Sequence, residues 1–287
     1  MGVDNMSFDN MLASQENIRN VPNLIRYYLS DEILKALLHL CLRIDIADNN
    51  TKAEVVKKIL GSDFTEIGTG TNRVAVRHNG FVLKIALDRR GLVDNLQEFK
   101  RSMELPKFLA KTYETNYLVN IAEYVEVMEQ DKFILNESTI KTVLAALAED
   151  YLFEDIGFTM KNSYNWGARE AVLNDDEKLY YGDAASELYD IVILDYGYLY
   201  PLYGQKDKLF RCPKCQHKLR WNSSYTGLQC SNSSCNYQVS PTGLRRRMDL
   251  DYEDLENKLA NSLNQLIMPN LTKIETSITK IKSDKNK

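Results

Sequence analysis

The first clear pattern lies between Asp31 and Arg43, where Ile33, Leu34, Leu37, Leu38 and Cys41 recur at helical spacing and predict an amphipathic helix. Before it, residues 1–20 are polar and unpatterned, an arm with a short helix expected over Asp9–Asn20. Thr51 and Glu54 form a capping-box pair, so a second helix is expected to run from there to Leu60 and stop at Gly61. The texture then changes. Phe64–Ile67, Arg73–Arg77 and Phe81–Leu87 are short β-rich runs parted by Gly, Thr and Asn, with Asn79-Gly80 as a hairpin turn signal. A helix over Val93–Leu105, strands over 111–118 and 119–127, and a helix over Glu137–Tyr151 follow. Ile191–Leu194 reads as a buried strand ending at Asp195-Tyr196-Gly197. Beyond a cysteine-rich segment, helices are expected over Asp251–Ile267 and Leu271–Ile281. Their apolar stripes span too few heptads for an independent coiled coil and are read as docking onto the body, with a partner helix or a homodimer seam as the alternative.

Composition narrows the function classes. A chain of 287 residues with 44% hydrophobic and 26% charged residues can bury a substantial core, which excludes wholesale disorder. Its net charge of -4 argues against a surface basic all over, while leaving local patches open. The most apolar stretch, Ile33 to Ile46, is interrupted by Lys35, His39, Arg43 and Asp45, so no membrane span is expected. Residues 1–30 carry no signal-peptide pattern, and a cytoplasmic location is expected. Five cysteines are too few for a disulfide scaffold, and all but Cys41 fall between positions 212 and 235. Cys41 sits in an apolar run and reads as a small buried hydrophobe.

The clustered cysteines form two close pairs, Cys212 with Cys215 and Cys230 with Cys235. Two such pairs let four thiolates close tetrahedrally around Zn²⁺ with no open position, the signature of a structural zinc ribbon. With that shell complete, His217 is not expected to be a ligand. Residues 205–247 hold nine Lys or Arg against one acid, Asp207, and Trp221, Tyr225 and Tyr237 offer stacking faces. A nucleic acid or a protein is therefore a candidate partner of the ribbon. The alternative is that these cations serve the acidic stretch Asp249–Glu256 next to them.

Ile67-Gly68-Thr69-Gly70-Thr71-Asn72-Arg73 carries the first two glycines of a GxGxxG pattern. A dinucleotide-binding loop would open directly into a helix, whereas here a strand, a turn and the lysine-bearing run Val82-Leu83-Lys84-Ile85 follow. On the next helix, Leu92, Leu96 and Phe99 would face the core and leave Glu98 free to meet Lys84; the plain alternative is a solvated surface pair. Farther on come Tyr164-Asn165-Trp166-Gly167 and Ile191-Val192-Ile193-Leu194-Asp195-Tyr196-Gly197. In this order, over about residues 64–200, these motifs resemble the protein-kinase-like fold. Asn-Trp-Gly followed by Asp-Tyr-Gly is similar to kinase-like proteins of bacteriophages in particular.

The resemblance implies an α+β, two-lobed protein-kinase-like fold with an N-terminal helical extension (1–62), an N-lobe (63–128) and a C-lobe core (129–204). A four-cysteine zinc-ribbon insertion (205–242) takes the place of the activation segment, and C-terminal helices of the C-lobe (243–287) complete it. It further implies ATP between the lobes, with Gly68 and Gly70 over the phosphates, Lys84 on them and Glu98 holding Lys84. Asn165 and Asp195 would hold Mg²⁺, Glu123–Met128 would form the inter-lobe hinge, and residues 173–189 would be an inserted hairpin. A phage-encoded chain would work in the host cytoplasm. There are departures. The family's catalytic Asp precedes its Asn by five residues, and that position here is Met160, whose thioether cannot accept a proton. Asp155 is the nearest acid and reaches the site only if residues 158–163 bulge outward, and Arg73 stands where the third glycine belongs. Two functions therefore follow from the resemblance. One is a pseudokinase that binds Mg-ATP and contacts a partner through its ribbon; the other is an active ATP-dependent phosphotransferase acting on a protein or a small molecule.

Overall fold

Three helices lead into the first sheet: α1 (Leu24–Tyr28), α2 (Asp31–Leu42) and α3 (Asn49–Leu60). They belong to a computed structural model that describes residues 24–43, 48–171, 189–248 and 257–262, an α+β chain with several small sheets. Ser30 caps α2 by accepting from the Ile33 N–H. The start of α3 differs from the expectation at Thr51. Asp48 is the cap, accepting from the N–H groups of Asn50 and Thr51, while Glu54 pairs with Lys57 at the surface. The helices expected over Asp9–Asn20 and Leu271–Ile281 lie outside the described residues, as does nearly all of the 173–189 hairpin.

A five-stranded antiparallel sheet follows, built from β1 (Thr65–Thr69), β2 (Arg73–His78), β3 (Phe81–Ala86), β4 (Thr112–Thr115) and β5 (Val119–Glu123) in the order β1-β2-β3-β5-β4. Asn79 and Gly80, with φ of 47° and 80°, make the left-handed two-residue turn between β2 and β3. Helix α4 (Arg89–Glu104) packs on the sheet and begins four residues before the predicted Val93, because Asp88 caps it by accepting from the Gly91 N–H. Leu92, Val93 and Leu96 are buried, but so are Asp94, Asn95 and Glu98 on the same helix. Asn95 explains how polar groups are tolerated there. Its Nδ2 donates to the carbonyls of Lys84, Tyr117 and Leu118, fixing α4 against β3 and the β4–β5 turn.

One hydrophobic core joins these helices to the sheet. Lys52 is buried in it and donates to the carbonyl of Leu87 at 2.9 Å. Cys41 is 2% exposed, and burial pushes its thiol up to about 12, as befits a buried hydrophobe. Residues 257–262 are helical, and Leu259 and Ala260 enter this same core while Arg89 donates to Asn257 Oδ1 at 2.7 Å. The sequence reading groups 243–287 with the second half of the chain, whereas Leu259 and Ala260 here pack into the first core. The apolar stripe of this stretch and the Arg89 contact both meet the sheet side.

The run 119–127, expected as one strand, is broken. After β5 the link Tyr124-Val125 carries the chain to β6 (Glu126–Val127), which joins β8 (Trp166–Glu170) and β9 (Tyr189–Ile193) in a separate sheet. Helices α5 (Gln130–Leu135) and α6 (Glu137–Asp150), a 3-10 turn over Met160–Asn165, and the pair β7 (Tyr151–Phe153) with β10 (Leu199–Pro201) surround a second core, which contains Phe133, Leu144, Trp166 and Tyr196. The halves are stitched by Ala110, whose N–H donates to the Ile193 carbonyl at 2.9 Å. A third core lies under α7 (Lys206–Leu209), the short strands β11 (Leu219–Trp221), β12 (Leu228–Cys230) and β13 (Gln238–Val239), and α8 (Pro241–Arg245). No helix among the described residues is long and apolar enough to cross a membrane.

Candidate functional site

A cavity of about 450 Å³ opens between the five-stranded sheet and the end of β9, a size typical of small-molecule sites. The β1–β2 loop forms its roof with Gly68 and Gly70, the sheet contributes Ala75, Val82, Lys84 and Ala122, and the Tyr124-Val125 link forms one wall. The floor carries Asp155, Asn165 and Asp195. The Gly70 N–H donates to the Arg73 carbonyl at 2.8 Å and closes the loop. Glu98 stands behind the cavity, fully buried, and reaches its edge through its partners.

Those partners form the charged centre of the site. Lys84 Nζ donates to both Glu98 oxygens at 2.9 Å and to the Leu194 carbonyl at 2.6 Å. The pairing with Glu98 is buried, unlike a solvated surface pair. Arg73 enters from the start of β2, with Nη1 2.9 Å from Glu98 Oε2 and Nη2 2.9 Å from Glu98 Oε1 and 2.5 Å from Asp195 Oδ1. Burial works to raise the pKa of Asp195, yet Arg73 and Lys84 outweigh it and hold the carboxyl at about 2. About half of that side chain, 47%, still opens into the cleft. Burial also opposes the charge on Arg73, but Glu98, Asp195 and Asp94 more than compensate and hold the guanidinium protonated. At Asp94 burial prevails over Arg73 and Arg90 and lifts the pKa to about 6.

The Asp195-Tyr196-Gly197 turn is held in place by its middle residue. The Tyr196 N–H donates to Glu98 Oε1 at 3.2 Å, and the buried hydroxyl donates to the Ala110 carbonyl beside Thr112. Asn165 Nδ2 donates to the Asp155 carbonyl at 2.7 Å, and Asp155 has a left-handed backbone with φ of 60°. Met160 opens the 3-10 turn with its side chain exposed and does not line the cavity. Sequence reading singled out Gly68, Gly70, Lys84, Glu98, Asp155, Asn165 and Asp195, and the fold gathers all of them at one place. It missed Asn72, Asp94 and Tyr198, which also line the cavity, and it noted Arg73 only as a missing glycine. Alternation puts Arg73 with Ala75 on the face of β2 opposite the core residues Val74 and Val76, which is the cavity side, but does not mark it as buried; nothing local marks the others.

The second cluster is the set of cysteines. The sulfurs of Cys212, Cys215, Cys230 and Cys235 all lie within 4.8 Å of one another, with Cys212 and Cys235 3.7 Å apart and Cys215 and Cys230 3.4 Å apart. Tetrahedral Zn²⁺ with Zn–S bonds of about 2.3 Å needs sulfurs roughly 3.8 Å apart, so the cluster can hold a metal such as zinc. A hydrogen bond from the His217 N–H lowers Cys215 to about 6, whereas burial pushes Cys230 up to about 12. His217 itself is exposed and outside the set.

This module is docked on the floor loop of the cleft. Trp221 stacks on Phe153 with centroids 4.5 Å apart, and the Phe158 N–H donates to the Ser224 carbonyl at 2.7 Å. Gly157 permits the contact, since a Cβ there would lie 2.6 Å from the Tyr225 carbonyl oxygen. Two of the expected stacking faces, Trp221 and Tyr225, are therefore spent inward against Phe153, and Tyr237 lies between Lys214 and Arg247. Among the nine Lys and Arg residues of 205–247, Arg245 pairs with Glu154 and Lys206 with Glu149, while Lys214, Lys218, Arg220 and Arg246 are exposed. No family model matches the chain, and no curated protein matches it.

Proposed function

We propose that the chain is a kinase-like, nucleotide-binding protein that takes ATP between two lobes, the five-stranded sheet with α4 on one side and the sheets and helices beyond Tyr124 on the other. Ala75, Val82 and Ala122 offer an apolar slot for the base, the Tyr124-Val125 backbone offers hydrogen bonds to its edge, and the loop over Gly68 and Gly70 with Lys84 faces the phosphates. The observation that carries this proposal is the buried Lys84–Glu98 pair set at the mouth of Asp195 under that loop. The resemblance also implies Mg²⁺ on Asn165 and Asp195. That ion does not fit this arrangement, because Arg73 stands 2.5 Å from Asp195 Oδ1 and a divalent ion would share that carboxylate with a fixed guanidinium.

The protein acts as a pseudokinase. No acid stands five residues before Asn165, and the ribbon, with exposed Lys214, Lys218, Arg220 and Arg246, is the surface for a protein or nucleic-acid partner. A specific observation favours the phosphotransferase alternative: Asp155 lines the cavity in a left-handed conformation, the kind of backbone that gathers at active sites. Thermal unfolding of zinc-loaded protein tests the nucleotide claim, since a ligand that binds only the folded state raises the midpoint. The expected result is a rise with ATP that Lys84→Ala abolishes. No rise at saturating ATP refutes it. Transfer from radiolabelled ATP that disappears in Asp155→Ala would decide for the enzyme.

A further inference from the structure

The cation that faces Asp195 is part of the chain. Arg73 is the first residue of β2, paired with Ala86 across the β2–β3 ladder, so its position is set by the sheet. Its side chain is 10% exposed, and its donors go to both Glu98 oxygens, to Asn95 Oδ1 at 3.3 Å and to Asp195 Oδ1. Gly197 leaves room for it, since a Cβ there would come within 3.2 Å of Nη2. Two carboxylates, Glu98 and Asp195, meet two cations, Lys84 and Arg73, and the centre is neutral before any ligand arrives.

A divalent ion on Asp195 would have to displace Arg73 or share the carboxylate with it at close range. Displacement is costly, because the guanidinium would be left to share the one buried carboxylate of Glu98 with Lys84. Asp94, the other acid whose charge Arg73 feels, is already held by Asn72 at 2.9 Å and Arg90 at 3.2 Å. Removing one member of a buried pair leaves the other charge unpaired in a poorly solvated place.

We infer that Arg73 stands in for the divalent cation of this cleft, so that the chain binds its nucleotide without a metal ion. The inference rests on the nucleotide-binding proposal above. A guanidinium is permanently charged, does not dissociate and presents donors in a fixed plane. It neutralises Asp195 without bridging to the phosphates as a metal would, which suits retention of a nucleotide rather than its turnover. The Lys84 charge, and the N–H groups of the β1–β2 loop other than that of Gly70, are what meets the phosphate charge.

The test compares zinc-loaded protein in divalent-depleted buffer, with ATP alone and with ATP plus Mg²⁺, by thermal unfolding. Added chelator is avoided because it would strip the thiolate site. The expected result is the same midpoint rise in both conditions for the wild type, and a rise that needs Mg²⁺ in Arg73→Ala. A wild-type rise seen only with Mg²⁺ overturns the inference while leaving nucleotide binding intact. No rise in either condition refutes nucleotide binding itself, and the inference with it. Should Arg73→Ala fail to fold, Mn²⁺ alone, followed by loss of its free-ion magnetic resonance signal, still tests the wild type. Equal uptake by wild type and Asp195→Asn is expected, and uptake that Asp195→Asn abolishes overturns the inference.

Discussion

Glu98 is where burial, charge and the candidate site meet, so its removal has a calculable cost. It is 0% exposed and accepts from Lys84, from Arg73 and from the Tyr196 N–H. In Glu98→Gln one end of the carboxylate becomes an NH₂ that faces donors, and the centre gains a net positive charge. Hydrogen bonds to charged groups contribute about 1.5–3 kcal/mol each, but these share one acceptor and do not add. Breaking a buried pair from one side costs about 3–5 kcal/mol, and a unit of this size loses about 2–4 °C of midpoint per kcal/mol. The expected fall is thus roughly 6–20 °C, read by thermal and urea unfolding of the zinc-loaded protein. A cycle with Arg73→Met isolates the coupling, because the double variant restores charge balance between Lys84 and Asp195. It should be less destabilised than the sum of the single changes by about 0.5–3 kcal/mol. A loss below about 1 kcal/mol in Glu98→Gln, as for an exposed ion pair, would refute the buried centre.

Four further outcomes are expected. Asp195, held at about 2 against an ordinary 3.8, contributes stability above pH 4 that is lost as pH falls toward 2. Asp94, lifted to about 6, acts in the opposite sense: its contribution to stability is full below pH 4 and is lost as pH rises through 6. Asp94→Asn should therefore remove a decline in midpoint between these values, and an unchanged pH profile would refute this. Tyr196→Phe leaves the Ala110 carbonyl without its buried donor and should cost about 1–3 kcal/mol by urea unfolding; a neutral change would mean that the carbonyl finds water. Gly157→Ala drives a Cβ against the Tyr225 and Ser224 carbonyls and should cost about 1–3 kcal/mol, with faster proteolysis of the 222–227 turn, whereas unchanged cleavage would refute tight docking of the ribbon.

Much of this was legible in the sequence where chemistry is local. Asn79-Gly80, Gly61 and the cysteine pairs dictate their own geometry, and the runs at Arg73 and Phe81 alternate clearly enough to be read as strands. Helix α4 was legible only in part, because its buried face carries Asp94, Asn95 and Glu98, and polar residues at core positions blur the apolar stripe. The split of 119–127 was hidden for another reason. Both pieces are extended, and only their partners, β3 and β4 for one and β8 for the other, assign them to different sheets. Lys84 and Glu98 were found because a strand and the helix after it pack together. The ties from Arg73 to Asp195 and from Asn72 to Tyr198 join residues more than 120 positions apart, and no pattern in the intervening sequence foretells them.

The entry of Leu259 and Ala260 into the core built by Ile25, Leu37 and Val56 has a consequence for synthesis. A ribosome releases the helices and sheet of the first half long before residue 260 appears, so that half must wait with part of its apolar surface uncovered. Contacts separated by more than 200 positions close late and slowly, and an exposed core in the interval invites association with other chains. Fragments that stop after the ribbon should accordingly yield a sheet domain prone to aggregate, and rescue by a separately supplied 249–287 segment would show which surface was left bare.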